Sequence, residues 1–267
     1  MIYRRLIPVL LFDDGAVYRS RGFARHFRLG DPVQQLARYM AWDVDEIVYL
    51  DMRRREGGRR LIEVLPEITR TCFAPFAAGG GIRTLDDIHE HLDAGADRVV
   101  INTEAFDRPG FITEAAERYG SQAIIVSIDA RRSPGGGHEV VVGCGGRPTG
   151  VAAADWAHEV AERGAGEILV NSIDRDGTGT GYELDLVRAV SSRVTVPVIA
   201  CGGAGCYDDF TVGISEGGVG SVAAANLFAF RELSYLHAKD VMLAAGLRVR
   251  PSLVSAALQA PHPAPAA

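Results

Sequence analysis

Eight short apolar runs alternate with eight amphipathic stretches along this chain, and that order predicts an α/β protein built as a single (β/α)8 TIM barrel. Two further observations support it. Each run is nearly continuous in Val, Ile and Leu, the pattern of parallel strands buried on both faces. The second half of the chain also repeats the first, which points to a duplicated half-barrel. A doubly wound open sheet fits the alternation but offers no reason for an eightfold count.

Taken in order, strands are expected at 6–12, 46–51, 73–78, 98–102, 123–129, 167–172, 196–201 and 221–226. Helices are expected between and after them, at 32–42, 59–69, 84–93, 110–119, 151–163, 184–192, 208–215 and 231–245. The connection 13–31 is long and carries Arg19, Arg21, Arg25, His26 and Arg28. A loop near twenty residues in a compact domain is usually functional, often a lid, and a solvated basic loop is the plain alternative. Residues 1–250 make the barrel. Residues 251–267, ending Pro-His-Pro-Ala-Pro-Ala-Ala, read as a disordered tail.

Composition narrows the function. Of 267 residues, 47% are apolar, so one large core is available and global disorder is excluded. A net charge of −6 argues against nonspecific nucleic-acid binding. Cys72, Cys144, Cys201 and Cys206 show no C-x-x-C spacing, and the histidines form no H-x-x-x-H pair. No metal site is therefore called for, and no cofactor is expected. No 18-residue apolar run occurs, so a cytoplasmic protein without a membrane partner is expected.

The richest stretch runs from Asn171 through Asp174-Arg175-Asp176-Gly177 to Gly181. It follows the apolar run Ile168-Leu169-Val170. Acids two apart on a strand share a face, and the glycines let backbone amides approach an anion. The repeat multiplies this signal. Ala77-Ala78-Gly79-Gly80-Gly81-Ile82-Arg83 parallels Ala200-Cys201-Gly202-Gly203-Ala204-Gly205-Cys206, and Asp86-Asp87 parallels Asp208-Asp209. Asn102-Thr103 ends one strand where Ala225-Asn226 ends its counterpart. Glycine-rich turns at helix N-termini bind phosphate. Two of them facing across one barrel mouth predict an elongated ligand with a phosphate at each end.

These motifs together, with Gly120-Ser121-Gln122, resemble the cyclase subunit of imidazole glycerol phosphate synthase over roughly residues 1–250. The resemblance implies a (β/α)8 barrel partnered by a glutaminase subunit. Ammonia would rise through the barrel to a bisphosphorylated ribonucleotide held at the C-terminal face. The family's catalytic acids close strands 1 and 5. Asp129 is present on strand 5, whereas Leu11 stands at the strand-1 position, and the internal repeat also pairs Leu11 with Asp129. Asp176 is the second candidate acid, with Asp51 and Asn171 in the active-site wall. The phosphate positions are Gly79, Gly80, Gly81, Asn102, Thr103, Gly177, Gly202, Gly203 and Asn226. Arg19 stands where the family's lid usually has lysine. The family's gate for ammonia maps to Arg5, Glu46, Arg98 and Glu167.

An intact gate beside a missing acid resembles a divergent branch associated with acetamidino groups on nucleotide-activated amino sugars in surface-polysaccharide loci. That branch shares Ile-Pro-Val-Leu-Leu, Asn-Ser-Ile-Asp-Arg-Asp-Gly and Ala-Cys-Gly-Gly-Ala-Gly with this chain. The implied role is ammonia supply, with an ATP-dependent amidotransferase as a further partner. The alternatives are a genuine cyclase of histidine biosynthesis and a non-catalytic scaffold that activates the glutaminase.

Overall fold

The computed structural model describes residues 3–23, 25–52, 58–229 and 232–254. The eight barrel strands are β1 (Arg5–Asp13), β2 (Ile47–Asp51), β3 (Phe76–Gly79), β4 (Arg98–Ile101), β5 (Ile124–Arg132), β6 (Glu167–Ser172), β7 (Val198–Cys201) and β8 (Ser221–Ala224). Every neighbouring pair is parallel, and β8 pairs back with β1, so the sheet closes. Closure leaves no edge strand in the barrel.

Helices α1 (Pro32–Ala41), α2 (Leu61–Thr69), α3 (Leu85–Asp93), α4 (Gly110–Tyr119), α5 (Ala153–Glu162), α6 (Leu184–Ser191), α7 (Asp208–Ser215) and α8 (Ser234–Ala244) connect or follow the strands. The first shows why they form. Asp31 caps the Val33 and Gln34 amides at 3.0 Å, and Pro32 takes the first turn, where its missing N–H costs nothing. The strand period of two then sorts side chains into two cores. Leu6, Leu10 and Phe12 pack outward against the helices. Ile7 and Val9 point inward with Val48, Ala77, Val100, Ile125, Leu169 and Ile199.

The connection 13–31 is not an irregular loop. Ala16–Arg21 folds back antiparallel on β1 and pairs with Arg25–Gly30. A second hairpin, His138–Val142 with Arg147–Ala152, extends β5 in the same way. The pattern reading missed it. Its signal is the run Val140-Val141-Val142 before the turn Gly143-Cys144-Gly145-Gly146. Because β1 and β5 are repeat partners, each followed by an antiparallel hairpin, the hairpins belong to the duplicated unit.

After α8 the chain returns to the base of the barrel. Arg250 is hydrogen-bonded to Asp43 and Asp45, and the Leu253 amide donates to Asp43 at 3.1 Å. The single lysine, Lys239, is buried against Asp45 at 2.7 Å. Of the expected tail, 251–254 are therefore placed against the barrel, and 255–267 lie outside the described residues.

Candidate active site

A cleft of about 1210 Å³ opens at the C-terminal ends of the strands. Leu11, Arg19, Asp51, Asn102, Thr103, Asp129, Asn171, Asp176 and Asn226 all line it, as do Gly80, Gly81, Gly177, Gly202 and Gly203. Gly79 does not. It closes β3, where an added Cβ would meet the Val100 carbonyl at 2.3 Å.

The geometry also corrects the sequence pairing of the two glycine turns by one residue. A Cβ on Gly80 would lie 2.2 Å from the carbonyl of Asp51, which ends β2. A Cβ on Gly202 would lie 2.8 Å from the carbonyl of Ser172, which ends β6. Both glycines cross the end of the preceding strand, so Gly80 corresponds to Gly202 and Gly81 to Gly203. Positive φ continues through each pair, at 104° and 73° in the first turn and 88° and 108° in the second.

The two halves differ sharply in chemistry. Across β1 and β2, Leu11 sits beside Leu50; at the equivalent place on β5 and β6, Asp129 sits beside Asn171. Ala225 of the first set answers Asn102 of the second. Leu11, Leu50 and Ala225 pack on the inner apolar core. Against them, Asn102 Nδ2 donates to Asp129 Oδ2 at 2.9 Å. Burial raises Asp129 from its ordinary 3.8 to about 7, opposed by hydrogen bonds from Asn102, Asn171 and Ser127 and reinforced by the Asp176 carboxylate. Such a carboxyl exchanges protons near neutrality. Cys201 also lines the cleft, and burial pushes its thiol up to about 12, so it is no nucleophile at neutral pH.

Asp176 and Asp174 have separate jobs. Asp174 accepts from the Arg132 amide at 2.7 Å, tying β5 to the loop after β6. Asp176 accepts from Ser20 Oγ at 2.9 Å and from the Phe23 amide at 3.1 Å, which holds the first hairpin down. Asn226 Nδ2 donates to the Ser20 carbonyl at 2.9 Å. Arg19 lines the cleft with its guanidinium over the Phe27 ring at 5.3 Å. The second hairpin rests on the end of β4, its Gly143 amide donating to Thr103 Oγ1 at 3.0 Å. The tips meet: a Cβ on Gly145 would come within 3.0 Å of the Phe23 ring. Asp176→Asn weakens the acceptor for two of these donors, so hydrogen exchange in segment 16–23 should accelerate while the barrel strands keep their protection.

At the opposite end of the barrel, Arg5, Glu46, Arg98 and Glu167 form a closed ring. Glu46 accepts from Arg5 Nη1 at 2.6 Å and also from Arg98; Glu167 is hydrogen-bonded to both arginines as well. Each carboxylate thus bridges two cations, and Glu46 is only 1% exposed. Removing one arginine strands two buried carboxylates on the remaining one. Arg98→Ala should cost about 3–5 kcal/mol, read as a lowered Tm, as is usual when one partner of a buried pair is lost.

A closed eight-stranded barrel with duplicated glycine turns at one end and a charged ring at the other defines a half-barrel-repeat (β/α)8 protein. A family model described as "Histidine biosynthesis protein" matches residues 5–234, and the chain belongs to that family. Imidazole glycerol phosphate synthase subunit HisF of Streptomyces griseus subsp. griseus is 44% identical over 247 residues, 92% of this chain and 98% of that protein. Among the described residues, no helix is long and apolar enough to cross a membrane.

Proposed function

We propose that this HisF homologue takes up glutamine-derived ammonia from a glutaminase partner through the Arg5–Glu46–Arg98–Glu167 ring and delivers it for amidine formation on a nucleotide-activated amino sugar. An ATP-dependent amidotransferase would complete the reaction on the sugar's acetamido group. The carrying observation is Leu11. The resemblance implies an acid at this position, and here Leu11 packs with Leu50 and Ala225 on the inner apolar core while lining the same cleft as Asp129. A leucine transfers no proton, and acid–base assistance typically contributes about 10² to 10⁴ in rate. Ammonia passage needs the ring and an open interior but not that acid.

The test uses the protein purified with its glutaminase. Supplied with glutamine and the histidine-pathway bisphosphate, the pair should hydrolyse glutamine without efficient formation of imidazole glycerol phosphate. With the amidotransferase, ATP and sugar nucleotide added, ¹⁵N from the glutamine amide should appear in the amidine. Efficient imidazole glycerol phosphate formation overturns the proposal.

A second reading, a genuine cyclase, is favoured by the 44% identity to a HisF subunit and by Asp129 and Asp176 in the cleft. In that case the chain restores growth to a histidine auxotroph lacking its own cyclase subunit.

A further inference from the structure

The two glycine turns share a feature that their glycines do not explain. After the first turn, a single oxygen, Oδ2 of Asp87, accepts from the Arg83 amide at 2.9 Å and the Thr84 amide at 2.8 Å. After the second turn, Oδ2 of Asp209 accepts from the Gly205 amide at 2.8 Å and the Cys206 amide at 2.9 Å. The spacing of donors to acceptor is the same in both halves. Helix capping accounts for only one of them. Thr84 and Asp87 form a reciprocal capping box at the start of α3, whereas α7 has no side-chain cap at Tyr207. The carboxylate–amide clamp persists where the capping box is lost.

Each clamp fixes the chain directly after a pair of positive-φ glycines that line the cleft. Among the described residues, the Gly81 and Gly203 amides donate to no backbone carbonyl. Backbone donors bind an anion only when they are held convergent, and two consecutive glycines leave a turn with many conformations to lose. Gly203 is also packed so that a Cβ would meet the Gly181 carbonyl at 2.1 Å, whereas a Cβ on Gly81 would touch nothing within 4 Å. The first turn is therefore the looser, and its clamp carries a third donor, the Thr84 hydroxyl at 2.9 Å.

We infer that Asp87 and Asp209 are positioning residues that hold the two glycine turns in their phosphate-binding shape. The inference rests on reading those turns as phosphate cradles. Neither Asp87 nor Asp209 lines the cleft. The negative charge of each carboxylate opposes an incoming phosphate, so its benefit lies in accepting hydrogen bonds and not in its charge.

That separation provides the test. Inorganic phosphate binding to the intact chain is measured by ³¹P NMR titration and calorimetry, with a thermal melt of each variant. The wild type should bind two phosphates. Asp87→Ala and Asp209→Ala should each weaken one site about tenfold, with the other unchanged. Asp87→Asn and Asp209→Asn keep an oxygen acceptor and remove the charge, so they should bind at wild-type affinity or tighter. A merely structural role would lower Tm in the Ala variants and leave phosphate affinity alone. Two wild-type sites with unaffected Ala variants would overturn the clamps while leaving the cradles standing. A wild type that binds no phosphate would overturn the cradles, and the clamps with them.

Discussion

Leu11→Asp should raise imidazole glycerol phosphate formation by about 10² to 10⁴ over the unsubstituted chain, measured with the glutaminase, glutamine and the histidine-pathway bisphosphate. The substitution places a carboxyl on β1 at the position equivalent to Asp129 on β5, so that each half of the mouth carries an acid. Leu11 lines the cleft instead of sitting deep in the core, so the cost of burying a new carboxyl is limited by water in the opening. The neighbours Val9 and Leu50 will raise that carboxyl's pKa, which suits a proton donor near neutrality. Glutamine hydrolysis should change little, because the charged ring at the barrel base is untouched. An unchanged rate, in a variant that melts like the original, would show that an acid at this position does not limit imidazole glycerol phosphate formation.

The second large effect centres on Asp129. Its carboxyl ordinarily titrates at 3.8 and in the folded chain at about 7. Between those values the folded state holds a proton that the unfolded state has released. Stability therefore falls as pH rises from about 4 to about 7, and the penalty is complete above that window. A rise of that size corresponds to a penalty of up to about 4 kcal/mol by linkage. Asp129→Asn should flatten the fall and be the more stable protein at pH 8, as read by chemical denaturation across pH. Any proton transfer at the C-terminal face should show a limb near pH 7 and should drop by about 10² to 10⁴ in the variant. A wild-type stability curve with no slope between pH 4 and 7 would contradict the buried, proton-holding state.

Much of this molecule was legible in its residues. The eightfold alternation and the β-branched runs identified every barrel strand, with boundaries displaced by a few residues where hydrogen bonding stops. The residue types in the cleft were legible too, since the internal repeat sets glycines and polar residues at corresponding strand ends. The repeat even exposed Leu11, because its partner is an aspartate.

Other features depend on contacts between residues far apart in sequence. The segment 13–31 reads as a loop because its apolar residues are sparse, yet pairing with the extension of β1 supplies its hydrogen bonds. The correct match of the glycine turns came from which carbonyl each glycine crosses, a distance that no alignment contains. Asp174 and Asp176 look alike two residues apart, but one reaches the Arg132 amide and the other reaches Ser20, 156 residues away.

By itself, then, the sequence determined the barrel, its duplication, and the pairing of Leu11 in one half with Asp129 in the other. Those properties follow from periodicity and residue type, which act locally. Tertiary structure decided which side chains meet Asp129, what holds each hairpin over the mouth, and how far burial moves the Asp129 carboxyl. Each of these depends on how closely distant groups approach and how much water is left between them, and only the closed barrel sets those distances.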